Sequence, residues 1–337
     1  MSATKLQNWI PSRDKNVEGK ERQVGVELEF SGCEPEQILE CITDCFGGTI
    51  NKHSIFNYQA EESSVGDFTL ELDAQILQKM VAHNDEETLP ENDVNYAESL
   101  LKYAAESLVP WEVVTPPITI SRLSELDALV SCLREKGALG TRSAARYAFG
   151  LHLNPDLPDL SATTLVQYMQ AYLCLYDWIY DNEKIDVARK ITPYINHFDK
   201  DYILKVIDTQ YQPDLDTFIE DYLEHNPTRN RSLDLLPLIA HIDEKWVADH
   251  KEKALIKARP TFHYRLPNCD IDNPDWSLAH PWSLWLRVEQ LANNKQLLET
   301  FIEEFREDYQ RFTRAIDNKW VARCDQLLQS LDSESAS

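Results

Sequence analysis

The chain has 337 residues, with 57 acidic against 33 basic side chains and a formal net charge of −24 at pH 7. That length leaves room for one large domain or two ordinary ones with a substantial core. The acidic excess argues against a protein that grips nucleic-acid phosphates on a positive surface. The opening MSATKLQNWIPSRDKNVEGK lacks the apolar run of a signal peptide. The most apolar helix candidate, LVQYMQAYLCLYDWIY at 165–180, is too short and too interrupted by Gln and Asp to span a bilayer. A cytoplasmic protein with no membrane and no nucleic-acid partner is therefore expected. The 7 cysteines are scattered and form no Cys-x-x-Cys pair, so reduced structural thiols are expected.

A polar lead-in, residues 1–22, precedes an apolar strand at 23–31 containing GVELEF. Side chains alternate along a strand. Val24, Val26, Leu28 and Phe30 therefore line one face, and Gly25, Glu27, Glu29 and Ser31 the other. EPEQILECITDCF, near 35–46, reads as a helix stopped by Gly47-Gly48. TINKHSIFNYQ, at 49–59, reads as one strand. In FTLELD, at 68–73, Phe68, Leu70 and Leu72 alternate with Thr69, Glu71 and Asp73. An acidic loop at 82–95 and a helix at 95–108 lead to WEVVTPP, at 111–117, a strand ended by Pro116-Pro117. After a helix near 122–136, YAFGLHLN at 147–154 sets Leu151 and Leu153 against His152 and Asn154. Residues 160–255 read as a helical insertion. The sheet resumes in ARPTFHYRLPN, at 258–268, where Phe262, Tyr264 and Leu266 alternate with Arg259, Thr261, His263 and Arg265. Helices at 282–296 and 297–318 close a single domain of residues 23–330, followed by a disordered tail, 331–337. The pattern predicts an α+β protein whose curved, largely antiparallel sheet is covered by helices.

Set side by side, the polar faces of these strands carry Glu27 and Glu29, then Asp67, Glu71 and Asp73, then Glu112, then His152 and Asn154, then Arg259, His263 and Arg265. Each feature has a plain reading on its own: an exposed strand face, a structural histidine, arginines in ion pairs. Together they describe a polarised face, acidic on three strands and basic on another. Carboxylates with one imidazole suit Mg²⁺ or Mn²⁺, and arginines can grip phosphate or carboxylate oxygens bidentately.

In combination, Gly-x-Glu-x-Glu-Phe, Trp-Glu-Val-Val-Thr-Pro-Pro, Gly-Leu-His-Leu-Asn and Ala-Arg-Pro-Thr-Phe-x-Tyr-Arg-Leu-Pro-Asn resemble the amidoligase family. That family belongs to the carboxylate–amine ligase superfamily with the glutamine synthetase catalytic fold. The likeness runs in order through most of residues 23–268. It implies an ATP- and Mg²⁺-dependent ligase that forms an amide or isopeptide bond through an acyl phosphate. Its substrates would be a carboxylate and an amine, the latter an amino acid, a peptide or a protein tail. By the same likeness Glu27, Glu29, Glu71, Glu112 and His152 would hold metal ions, Glu27 and Glu29 binding different ions or bridging two. Arg259 and Arg265 would be catalytic, and together with Asn154 and Glu71 would contact the nucleotide. Asn154 stands where that strand of the superfamily carries a second histidine, which bears on the choice of acid substrate. Arg265 is expected to project over the acidic strands, and the insertion to set substrate choice without supplying metal ligands. A Walker-type phosphate loop is absent from the sequence. A metal-dependent hydrolase or phosphotransferase, and a non-catalytic binding module, are the alternatives.

Overall fold

The computed structural model describes residues 9–72, 110–142, 149–186, 189, 195–312, 314 and 317–334. The acidic loop at 82–95, the helix at 95–108, Asp73 and Tyr147 lie outside these described residues.

Strand β1 (Gln23–Phe30) lies in the middle of the sheet, because its alternation supplies an unbroken apolar face: Val24, Val26, Leu28 and Phe30 are all fully buried. Helix α1 (Pro35–Phe46) follows at the expected place. Glu34 and Gln37 form its capping box, Pro35 opens it, and Gly47 and Gly48, both at positive φ, end it. It buries Ile38, Leu39 and Ile42 against the next strands.

The stretch expected as one strand at 49–59 is instead a hairpin, β2 (Thr49–Ser54) and β3 (Asn57–Ser63), turning at Ile55-Phe56. No glycine or proline marks that turn, so the apolar pattern ran through it. Next come β4 (Gly66–Leu72), β5 (Trp111–Val114), the short β6 (Ile118–Thr119) and helix α2 (Leu126–Glu135), entered through a 3₁₀ turn. Strand β7 (Leu151–Pro155) is buried on both faces.

The insertion contains α3 (Ala162–Glu183), α4 (Lys200–Val206), α5 (Leu215–His225) and α6 (Leu236–Ile242). It is not purely helical. Between α5 and α6 it contributes strand β8 (Leu233–Asp234), which pairs with β9 (His263–Tyr264). The long strand expected at 258–268 shrinks to β9 and two isolated bridges, Asp156–Thr261 and Gly150–Asn268.

The closing helices are α7 (Ala279–Ala292), α8 (Lys295–Tyr309), capped by Asn294, and α9 (Lys319–Glu334), which runs on into the stretch expected as a tail. Their register differs from the expected boundaries because the break falls at Asn293-Asn294.

All strand pairs are antiparallel, in the order β2-β3-β4-β5-β1-β7-β9-β8, with β6 beside β1. The sheet is open and mixed with helices, an α+β architecture as expected. Helices α3 and α7 pack on each other behind it, and Tyr168 and Trp285 close over Phe262 and Tyr264. Arg22, fully buried, donates two hydrogen bonds to Glu289 and so ties the entry of β1 to α7.

One expectation about the thiols fails. Cys41 of α1 and Cys132 of α2 are joined by a disulfide, with Cα atoms 5.7 Å apart. They are 91 residues apart in sequence, and only the packing of α1 on α2 brings them together. Among the described residues no helix is long and apolar enough to cross a membrane.

Candidate active site

Antiparallel pairing sets the polar faces of the central strands in register. Glu71 on β4 stands opposite Glu112 on β5, and Glu112 stands opposite Glu29 on β1. Directly opposed residues bring their Cβ atoms to about 4.5–5.5 Å, so three carboxylates form a row across three strands. On the other side of β1, Glu27 stands opposite His152 and Gly25 opposite Asn154. His263 on β9 stands opposite Asp234 on β8.

Glu27 is 5 % exposed and almost saturated with donors. Asn154 Nδ2 (2.9 Å) and Arg259 Nη1 (3.0 Å) donate to its Oε1, and His152 Nδ1 (3.0 Å) donates to its Oε2. Burial opposes its charge, but His263, His152 and Arg259 hold its carboxyl well below the usual carboxylate range. Burial, with Arg265 nearby, pushes the His263 ring well below its ordinary value, so that ring is neutral. Arg259 and the His152 hydrogen bond then carry the preference of Glu27 for its ionised form.

Glu29 is aimed by the backbone: its Oε2 accepts the Gly150 N–H at 2.7 Å, and its Oε1 lies 3.5 Å from His152 Nε2. A Cβ at Gly150 would come within 2.7 Å of the Arg189 guanidinium, which would have to shift. Arg189 in turn donates to the backbone carbonyls of Arg265, Leu266 and Pro267, fixing the segment beyond β9.

The expected residues do assemble, with two changes. Glu71 ends the row, paired with Asn57 at 3.3 Å and with the exposed Lys257 at 3.6 Å, and belongs to neither compact donor group. Arg265 does not project over the acidic strands. It lies 3.7 Å from Asp234, a buried acid of the insertion whose carboxyl burial pushes up to about 6. The unforeseen strand β8 supplies that partner. Among the described residues, two donor groups have ligand atoms within 4.8 Å of one another: Glu27, His152 and His263, and Glu29, Glu112 and His152. None of these residues comes from the insertion.

Three residues gained no role from the sequence. His263 was visible on the polar face of FHYR but carries a sharper signal in space: it is 2 % exposed, and neither ring nitrogen has a hydrogen-bond partner. Asp234 was hidden in a leucine-rich run that gives no strand signal. Arg229, also from the insertion, has its basicity lowered by burial and by Arg265. The buried Nε atoms of Arg229, Arg259 and Arg265 and the Thr261 hydroxyl also lack hydrogen-bond partners. The site thus has an acidic side on β4, β5 and β1, and a side on β9 and the insertion with unused donors.

No curated protein and no solved structure was found to match the chain. The family model described as "Putative amidoligase enzyme" matches residues 20–287. The match runs from before β1 into α7 and includes every residue of this site, and the chain belongs to the amidoligase family.

Proposed function

We propose that the protein is an ATP- and Mg²⁺-dependent carboxylate–amine ligase that forms an amide or isopeptide bond. The observation that carries this reading is the facing of two kinds of group across β1, β7 and β9. Carboxylates and imidazoles gather within ligand distance, and beside them arginine nitrogens have no partner. The donor set fits a hard or borderline divalent ion, because Glu29 Oε1 and His152 Nε2 lie 3.5 Å apart and gather with Glu112 within 4.8 Å. Glu27, Glu29, Glu112 and His152 are the residues that would hold or support such an ion, with Glu71 at the edge. A bound divalent ion neutralises phosphate charge and polarises the phosphoryl group in transfer.

The chain's own groups supply the rest. Arg259 and Arg265 each have a free, buried Nε with which to hold oxygens of the phosphoryl or carboxylate group. Their rigid placement would orient the carboxylate for phosphorylation and then for attack by the amine, which expels phosphate. His263, neutral and unpartnered, can donate to or accept from a substrate atom. Asp234 and Arg229 bring the insertion beside Arg265, which supports a role for it in selecting the substrate. The test is ADP release by the purified chain. It should require an acid and an amine together, screened as free amino acids and short peptides. Hydrolysis of a substrate without ATP would replace the ligase reading with a hydrolase.

A further inference from the structure

The arginines of the irregular side are not all spent alike. Arg231 donates to the His197 and His225 carbonyls, and Arg259 donates to Glu27 at 3.0 Å. Arg229 and Arg265 differ: among the described residues no nitrogen of either side chain donates a hydrogen bond. Arg265 has one ion-pair neighbour, Asp234, at 3.7 Å. Their backbones are nonetheless fixed. The Arg265 N–H donates to the Ser232 carbonyl at 2.9 Å, and Arg189 donates to the Arg265 carbonyl at 2.7 Å. The Arg229 N–H donates to Glu252 at 3.0 Å. Two neighbouring guanidiniums repel, and Arg265 does lower the basicity of Arg229. Arginines anchored through the backbone, with both planar forks left empty, make a place for an oxyanion.

Position and charge narrow the choice of oxyanion. Asp234, the neighbour of Arg265, lies on β8, the third strand from β1 in the order β1-β7-β9-β8. At about 4.8 Å per strand that is about 14 Å from β1. The phosphates belong with the carboxylates of β1 and β5, and Arg259, joined to Glu27, belongs with the reacting group. An amine has to reach the reacting carbonyl from the side away from the departing phosphate. That side is the β8 edge and the insertion. Asp234 and Glu252 also act on the charge of Arg229, so two acids balance the two arginines there. A polyphosphate or a dianion would call for an excess of positive charge. A balanced pocket with unspent donors suits a zwitterion, whose carboxylate fills the forks and whose ammonium meets no net repulsion.

We infer that Arg229 and Arg265 form a subsite for a free carboxylate on the amine substrate, so that the amine is an amino acid. This rests on the ligase reading above and names the class of its second substrate. Arg259 stays with the reacting group, and Arg265 turns to the incoming amine. Asp234, fully buried, holds Arg265 in place. The insertion then contributes Arg229 as a residue that selects amines by their carboxylate.

The test is calorimetry on the full chain with Mg²⁺ and a non-hydrolysable ATP analogue. The probes are amino acids, each compared with its decarboxylated amine and its deaminated acid, as alanine with ethylamine and propionate. At least one amino acid should bind about 10–100-fold more tightly than its decarboxylated amine, the scale of hydrogen bonds to a charged group. Arg229→Gln should remove that preference and leave affinity for the ATP analogue unchanged. Arg229→Lys should recover only part of it, because an ammonium cannot form the two-pronged grip. The wild-type comparison decides the matter even if the variants fold poorly. The inference is overturned if no amino acid gains over its amine, or if a folded Arg229→Gln chain keeps the preference or loses the ATP analogue. Glutarate binding as tightly as the amino acid, and depending on Arg229, would give the subsite to the acid substrate and overturn it too. ADP release that accepts plain amines as readily as amino acids would overturn the inference and leave the ligase reading standing. Arg229-dependent amino-acid binding without ADP release from any acid would keep the subsite and replace the ligase reading.

Discussion

The two sides of the sheet differ in how they are built. The acidic side rests on strands of four to eight residues with continuous registers, from Glu71 through Glu112 to Glu29. The cationic side rests on two strands of two residues each, on isolated bridges and on a loop of the insertion. Long ladders fix side chains well and leave little unsatisfied. Short ones leave buried donors unused, and here those donors cluster on Arg229, Arg259, Thr261, His263 and Arg265. On the reading proposed above, the regular side would set ion geometry and the irregular side would meet the substrate.

The largest effect should come from the face of β1 opposite the site. Leu28 is fully buried, and Leu28→Ala should cost about 3–5 kcal/mol of stability by denaturant melts. The folded fraction should still bind Mn²⁺ normally; a change in its affinity would show that the two faces are not independent.

Next in size is Glu29→Gln, which should lower ATP-dependent product formation by about 10²–10³-fold, the scale of losing one preorganised electrostatic group. Its melting temperature should stay within the range of an ordinary half-buried substitution. A stability loss comparable to that of Leu28→Ala would make the acidic row a structural feature.

A smaller effect is a pH dependence on the cationic side. Burial raises the Asp234 carboxyl from its ordinary range to about 6 in the folded chain. The folded state therefore binds more protons than the unfolded one between roughly pH 4 and 6, and stability should fall as pH rises through that window. The amplitude should be about 3 kcal/mol, and Asp234→Asn should flatten this part of the profile. An unchanged profile in that variant would mean that Arg265 compensates fully for the buried charge.

The smallest effect belongs to Lys257, which is exposed and 3.6 Å from Glu71. Lys257→Ala should shift stability by less than about 0.5 kcal/mol. A larger loss would extend the cationic side to the edge of the acidic row.

The same contrast decides what was legible in the sequence. Val24 to Phe30 announce both faces of β1 through a period of two, and FTLEL and WEVV do the same for their strands. The membership of Glu27, Glu29, Glu112 and His152 in one site followed from those faces. The register that makes Glu112 the neighbour of both Glu71 and Glu29 did not, because alternation says nothing about offset between strands. On the other side, two-residue strands carry no periodicity at all. Arg265 was therefore aimed at the wrong acids, and Asp234 was read as part of a helical run. The turn at Ile55-Phe56 and the Cys41–Cys132 pairing escaped for related reasons: neither leaves a local residue pattern.

Strand β8 has a consequence for how this protein can diverge. On the reading proposed above the insertion is where substrate preference would drift, yet its residues 233 and 234 pair with β9, which carries His263 and leads into Arg265. Exchanging the whole segment for that of a relative would remove a structural rung together with the surface proposed to select the substrate. Variation that respects the chemistry is therefore confined to what lies on either side of Leu233-Asp234. A library built for new acceptors should keep that dipeptide and the Ser232 carbonyl, which accepts the Arg265 N–H, and randomise the helices around them.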